Sequence, residues 1–319
     1  MFPSSDLYQI APGEYQRQTV LLDATTATAA EFTAESFKQA VFQRLFAITV
    51  PARSKDAVQS FISKLQTVLE GIILQNQGGM FTDCLIDHVN LVGQYQKDVA
   101  IAGPRELYSD VVVTLTSVPT VSSVQLLGAK IVSDLMKNYP GEEYQYALTD
   151  HQLKIASAHA FISVHITVTP ENPIHFQEVP ESTGDSIPLE VLEDSQRLID
   201  EADWFAANAS TTSIKGLVRL LSDLRERFPP LRILKDPAID LLAHYCVSDY
   251  HEGSAMPIEL AFRRFLEFIS MGVLLRDAYP ASDVLASDVD AAAKIAVTRQ
   301  TTDLLCAIGQ GHFASVLSV

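Results

Sequence analysis

From about Leu85 to Val168 the apolar residues of this chain gather mostly in short runs of strand length. From Leu189 onward they recur at three- and four-residue spacing with hardly a break. A chain divided in this way folds into a sheet-bearing first part and a helical second part, because period two buries one face of a strand and period 3.6 one stripe of a helix. The spacing of Val58, Phe61, Ile62, Leu65, Val68, Leu69, Ile72 and Ile73 predicts a helix that begins near Ser54 and stops at Gly78-Gly79. Strands are predicted at LIDHVNLV before Gly93, at DVVVTL from Asp110, and at HQLKIAS and AFISVHITV, with a helix from Pro119 to Asn138 between the second and third. The Pro-, Glu- and Ser-rich stretch TPENPIHFQEVPESTGDSIP reads as a linker or a long surface loop. Helices are then expected at Leu189 to Phe205, Thr211 to Phe228, Pro237 to Val247, Pro257 to Leu275 and Asp290 to Gly309. The division predicted is an α/β part over residues 1–188 and a helical part over 189–319.

With 319 residues, 47% of them apolar, the chain has enough material for one large domain or two packed ones. No apolar stretch approaches the ~20 residues of a membrane span. The opening MFPSSDLYQI has neither the basic segment nor the apolar core of an export leader, so no membrane partner is expected. Cys84, Cys246 and Cys306 lie far apart and form no CxxC pair, which argues against a disulfide framework or a zinc site. The formal charge of −16 opposes tight binding to a phosphate backbone unless charge is segregated. Some segregation exists. Glu171 to Asp203 holds ten acidic residues against Arg197, whereas Lys215 to Lys235 holds six basic residues against Asp223 and Glu226. Lys215, Arg225, Arg227 and Arg232 are therefore the candidate nucleic-acid contacts.

Chemistry is sought first at Gly93-Gln94, a turn between two strands, and at Asp110 on the strand that follows. A glycine turn lets backbone N–H groups approach phosphates, and a D-x-D strand presents two carboxylates on one face to magnesium. Here the second position is Val112, so one ligand stands where a two-metal centre wants two or three. The later strand does not restore the charge: its odd-numbered face carries Phe161, Ser163, His165 and Thr167. Asp98 and Glu106 are the nearby carboxylates that an active enzyme would have to recruit. Trp204, Phe205, Phe228 and Phe265 sit at helical spacing and are expected to pack in the core.

Three long stretches, ADWFAANASTTSIKGLVRLLSDLRERF, DPAIDLLAHYCV and PIELAFRRFLEFISMGVLL, resemble the DZF domain. That domain is shared by the interleukin-enhancer-binding factors, the zinc-finger RNA-binding protein and the spermatid perinuclear RNA-binding protein. The resemblance covers about Phe2 to Leu317 and is greatest to members that consist of little beyond this domain. It implies an α/β (α+β) architecture, with a nucleotidyltransferase-like mixed sheet followed by a helical domain of the poly(A) polymerase and oligoadenylate synthetase type. It further implies lost catalysis, no cofactor and no metal, with Gly93, Gln94, Asp110 and Arg219 left as a vestigial nucleotide pocket. Active relatives carry R-L-V-K where this chain has Arg219-Leu220-Leu221-Ser222, so the lysine's charge is replaced by Ser222. The partner implied is a DZF protein bearing double-stranded-RNA-binding domains or zinc fingers, through which RNA or DNA is mainly bound. Leu266, Ile269, Met271, Val273 and Leu274 are the candidate interface. Nuclear residence is implied, with a cytoplasmic pool compatible. The alternatives are an active or nucleotide-binding nucleotidyltransferase and a direct nucleic-acid-binding protein.

Overall fold

The computed structural model describes residues 24–79, 81, 84–102, 108–158, 160–169, 186–248, 256–272 and 290–318. Helices α1 (Ala24–Ala47) and α2 (Ala52–Gln77) lead into strand β1 (Ile86–Val92), the short helix α3 (Gly93–Gln96) and strand β2 (Tyr108–Leu115). Helix α4 (Val121–Asn138) and strands β3 (Gln145–Thr149), β4 (Gln152–Ala156) and β5 (Phe161–Val168) complete the sheet. The rest is helical: α5 (Leu189–Asn208), α6 (Thr212–Arg227), a 3-10 turn (Pro229–Ile233), α7 (Asp236–Ser248), α8 (Ile258–Ser270), α9 (Ala291–Gly309) and α10 (Phe313–Leu317). Helix α1 and strand β3 are additions to the sequence reading. Among the described residues no helix is long and apolar enough to cross a membrane.

The five strands form one mixed sheet in the order β1-β2-β5-β4-β3, with β2 and β5 parallel and the other pairs antiparallel. Alternation along β2 divides its side chains. Val111, Val113 and Leu115 join the apolar core with Leu65, Leu69 and Ile72 of α2 and Leu127 and Ile131 of α4. Asp110, Val112 and Thr114 occupy the other pleat face, on which α5 lies. There Val112 packs with Ile199, and Thr167 donates its hydroxyl to the Leu192 carbonyl at 3.0 Å. Helix α2 buries the periodic set from Val58 to Ile72, and ends as Gly78 N–H and Gly79 N–H bond back to the Leu74 and Asn76 carbonyls. Helix α4 starts on a reciprocal cap between Thr120 and Ser123.

A second apolar core unites α6, α7, α8 and α9, with Phe205, Phe262 and Phe265 all but fully buried in it. Trp204 and Phe228 pack against its edge, as their spacing suggested. Phe37, Ala40 and Val41 of α1 belong to this core as well. The helical core thus takes in residues from before as well as after residue 188. Helix α5 covers the sheet through Leu192 and Ile199 and reaches the helical core at its far end through Phe205. Helix α1 crosses from the first part to the second, where Arg44 pairs with Asp223 at 2.5 Å on α6.

Candidate functional site

Between the sheet and the helical part lies a cleft lined by Gly93, Gln94, Asp110 and His165 on one wall and by Glu201, Ser222, Asp236 and Asp240 on the other. The turn that opens it needs glycine. Gly93 has φ of +78°, and a Cβ there would run into the Asp110 carboxylate. Asp110 and its neighbours are held by register. On the parallel pair, Asp110 lies opposite Ser163 and Val112 opposite His165. His165 Nε2 is 3.3 Å from Asp110 Oδ1, and the Gln152 amide lies 3.2 Å from the same ring nitrogen. The barren face of β5 thus supplies the partner of Asp110, and that partner is an imidazole.

The position of a second carboxylate is filled by Val112, which is fully buried with Val92 and Ile199. Other carboxylates reach the cleft from α5 and α7, elements the sequence reading had not connected with it. Asp240 is buried against Lys97, Oδ2 to Nζ 2.6 Å, while Lys97 also stands over the Phe205 ring at 5.3 Å. Asp236 accepts from Arg225 at 2.6 Å and from the Gln94 amide at 3.2 Å. Glu201 shares the cleft with them. Burial pushes Glu201 up to about 7, with Lys97 pulling it down and Asp240 and Asp236 pushing it further up. Burial likewise pushes Asp240 up, against the pull of Lys97.

These donors do not fit the paired magnesium ions of phosphoryl transfer. Such ions sit ~4 Å apart and share carboxylates between them. Asp110 here has Val112 and His165 for neighbours, and Asp236 and Asp240 are neutralised by Arg225 and Lys97. Among the described residues no three His, Cys, Asp or Glu gather as a metal-holding group.

Of the residues assigned to the pocket from sequence, Gly93, Gln94 and Asp110 come together and Arg219 does not line it. Arg219 turns instead to Asp98, donating to its backbone carbonyl at 2.6 Å and lying 3.1 Å from Oδ2. Ser222 is buried in the cleft wall. Asp98, one of the carboxylates an active enzyme would recruit, is held by Lys55 and Arg219 and stays outside the cleft. Glu106 lies outside the described residues.

Two of the interface candidates have another role. Leu266 and Ile269 are wholly buried in the helical core of their own chain, because they occupy the inward stripe of α8, so they present nothing to a partner. Met271 is 58% exposed, and Val273 and Leu274 lie outside the described residues. The basic face is also partly committed. Arg225 donates to the Leu234 carbonyl besides pairing with Asp236, and Arg227 pairs with Asp223 and donates to the Val316 carbonyl. Arg232 is exposed with a 3.3 Å bond to the Glu226 carbonyl, and Lys215 is half-buried.

Solved structures with the same arrangement are nucleotidyltransferases. E. coli MS115-1 CdnC, in complex with HORMA-deltaN, is 15% identical at a TM-score of 0.58, over 87% of this chain and 92% of that one. A cytoplasmic RNA terminal U-transferase is 8% identical at 0.54, over 89% and 97%. The Cid1 poly(U) polymerase, solved with Mg and 3'-dATP, is 10% identical at 0.52, over 86% and 94%. At such identities the likeness is one of fold alone, a nucleotidyltransferase-like mixed sheet with a helical domain. Family models are more specific. The DZF N-terminal domain matches residues 17–210, ending just after α5, and the DZF C-terminal domain matches residues 213–317. Matched by both halves of the domain from residue 17 to residue 317, this chain belongs to the DZF family.

Proposed function

We propose that this chain is a catalytically inactive nucleotidyltransferase-like subunit. In this reading it heterodimerises with a second DZF protein that carries double-stranded-RNA-binding domains or zinc fingers. The pair then acts on RNA or DNA as a regulator of transcription, RNA processing or translation. In this reading the chain is similar to the smaller interleukin-enhancer-binding factor, and residence in the nucleus goes with that likeness. The observation that carries the reading is the burial of Val112 with Val92 and Ile199. Apolar packing has taken the place of a metal ligand, and Asp110 has an imidazole beside it instead of a second carboxylate. Exposed Leu260 and Met271 at the two ends of α8, and Ile295 on α9, leave apolar side chains on the helical part for a partner to cover.

Two measurements test it. Incorporation of labelled nucleotide into RNA, assayed with magnesium or manganese, is expected to equal that of Asp110→Ala, the background. Incorporation that Asp110→Ala abolishes overturns the inactive reading. Co-expression with a DZF protein followed by sizing is expected to yield one complex containing both chains, and separate monomers persisting at micromolar concentration overturn the heterodimer.

A further inference from the structure

Outside the cleft, at the seam between the sheet and the helical part, three cations gather about one carboxylate. Asp98 follows α3 with φ of +55°, which turns its side chain outward, leaving it 52% exposed. Its Oδ1 lies 2.8 Å from Lys55 Nζ at the start of α2, and its Oδ2 3.1 Å from Arg219 Nη2 on α6. Lys215, one helical turn before Arg219, adds its charge to the same carboxylate. Burial alone would raise the Asp98 carboxyl. It is held below its ordinary value instead by the Lys55 hydrogen bond and the charges of Arg219, Lys55 and Lys215. The local potential is therefore positive on a chain whose formal charge is −16. Three cations against one anion leave a surplus of two positive charges.

That surplus is available to a ligand. An ammonium has three donors, and Lys55 spends one on Asp98. Lys215 makes no hydrogen bond among the described residues. Two other arginines of the basic stretch, Arg225 and Arg227, are already paired with Asp236 and Asp223. None of the four residues lines the cleft. Cations that reach an open seam from two separate elements suit a chain of spaced phosphates better than a single compact anion.

We propose that Lys55, Lys215 and Arg219, gathered about Asp98, form a contact site for the phosphate backbone of a nucleic acid, so that this chain touches RNA or DNA itself as well as through a partner. The site does not depend on whether the cleft is catalytic.

The test is fluorescence anisotropy of a labelled, random-sequence short RNA duplex against the full chain across a salt series. Binding is expected at low salt and to weaken steadily as salt rises. Lys55→Glu with Lys215→Glu is expected to weaken it more than about tenfold and to flatten the slope of log affinity against log salt by about 2, whereas Lys137→Glu, at an exposed lysine in the last turn of α4, changes affinity less than about twofold. If the double reversal unfolds, as a thermal melt would show, Lys55→Gln and Lys215→Gln taken singly are each expected to flatten the slope by about 1. No binding by the unaltered chain at low salt, an unchanged slope in the variants, or an equal loss with Lys137→Glu overturns the proposal. Displacement of the duplex by inorganic tripolyphosphate at an equal phosphate concentration also overturns it, since the site would then be one for free polyphosphate.

Discussion

Single residues decide what the cleft can do, and Val112 decides most. With D-x-D restored, the new carboxylate would be placed among the apolar side chains of Val92 and Ile199. Val112→Asp is expected to cost about 2 to 4 kcal/mol, read from urea denaturation. It should leave nucleotide incorporation at background, because it adds a buried charge without assembling a metal site. Glu201 gives a test by pH. Its folded value, about 7, lies above its ordinary 4.5, so the native state holds more protons than the unfolded chain between those values. Its contribution is therefore most favourable below that window and declines as pH rises through it. Denaturation of the unaltered chain and of Glu201→Gln at several pH values between about 4.5 and 7 is expected to show the variant gaining relative stability toward neutral pH. A difference independent of pH would contradict the shift.

Between elements, the decisive contact is the buried pair of Lys97, just after α3, with Asp240 on α7. It fastens the glycine turn to the helical part. Lys97→Met leaves Asp240 buried without its cation and is expected to cost about 3 to 5 kcal/mol, while Lys97→Met combined with Asp240→Leu recovers most of the loss. A double-mutant cycle by denaturation measures the coupling, and additive losses would mean the pair contributes nothing as a pair. The elements themselves were mostly legible. The strand at Asp110 and the helices α2, α4 and α5 to α9 follow from periodicity, because each buries a continuous stripe. Strand β3 was not legible, since every residue of it except Leu148 is exposed and it offers no apolar alternation. Helix α1 was missed for a related reason. Its buried side chains Phe37, Ala40 and Val41 are few in a long run of Ala, Thr and Glu.

At the scale of the whole molecule, the helical part is not a contiguous segment of chain. Helix α1 comes from the start of the sequence to complete its core, and Arg44 pairs with Asp223, which also pairs with Arg227 near the end of α6. A fragment beginning at Leu189 lacks Phe37, Ala40 and Val41 and leaves Asp223 without one of its two arginines. It is expected to melt without a cooperative transition, whereas the intact chain melts cooperatively, as circular dichroism would show. A cooperative melt of the fragment would mean that α1 is dispensable to the core.

The sequence by itself determined most of the elements, the glycine turn at Gly93 and the missing carboxylate at Val112, while its resemblance to the DZF domain implied the nucleotidyltransferase-like class. The elements, the turn and the carboxylate are matters of local periodicity or of which residue type stands at one position. What only the tertiary structure decided is who stands beside whom. His165 faces Asp110 because β5 runs parallel to β2 in one register, Glu201 and Asp240 enter the cleft because α5 and α7 pack over it, and Arg219 turns to Asp98. Burial and pairing between residues far apart in the chain depend on register and packing angle, and neither is encoded in the spacing of any one segment.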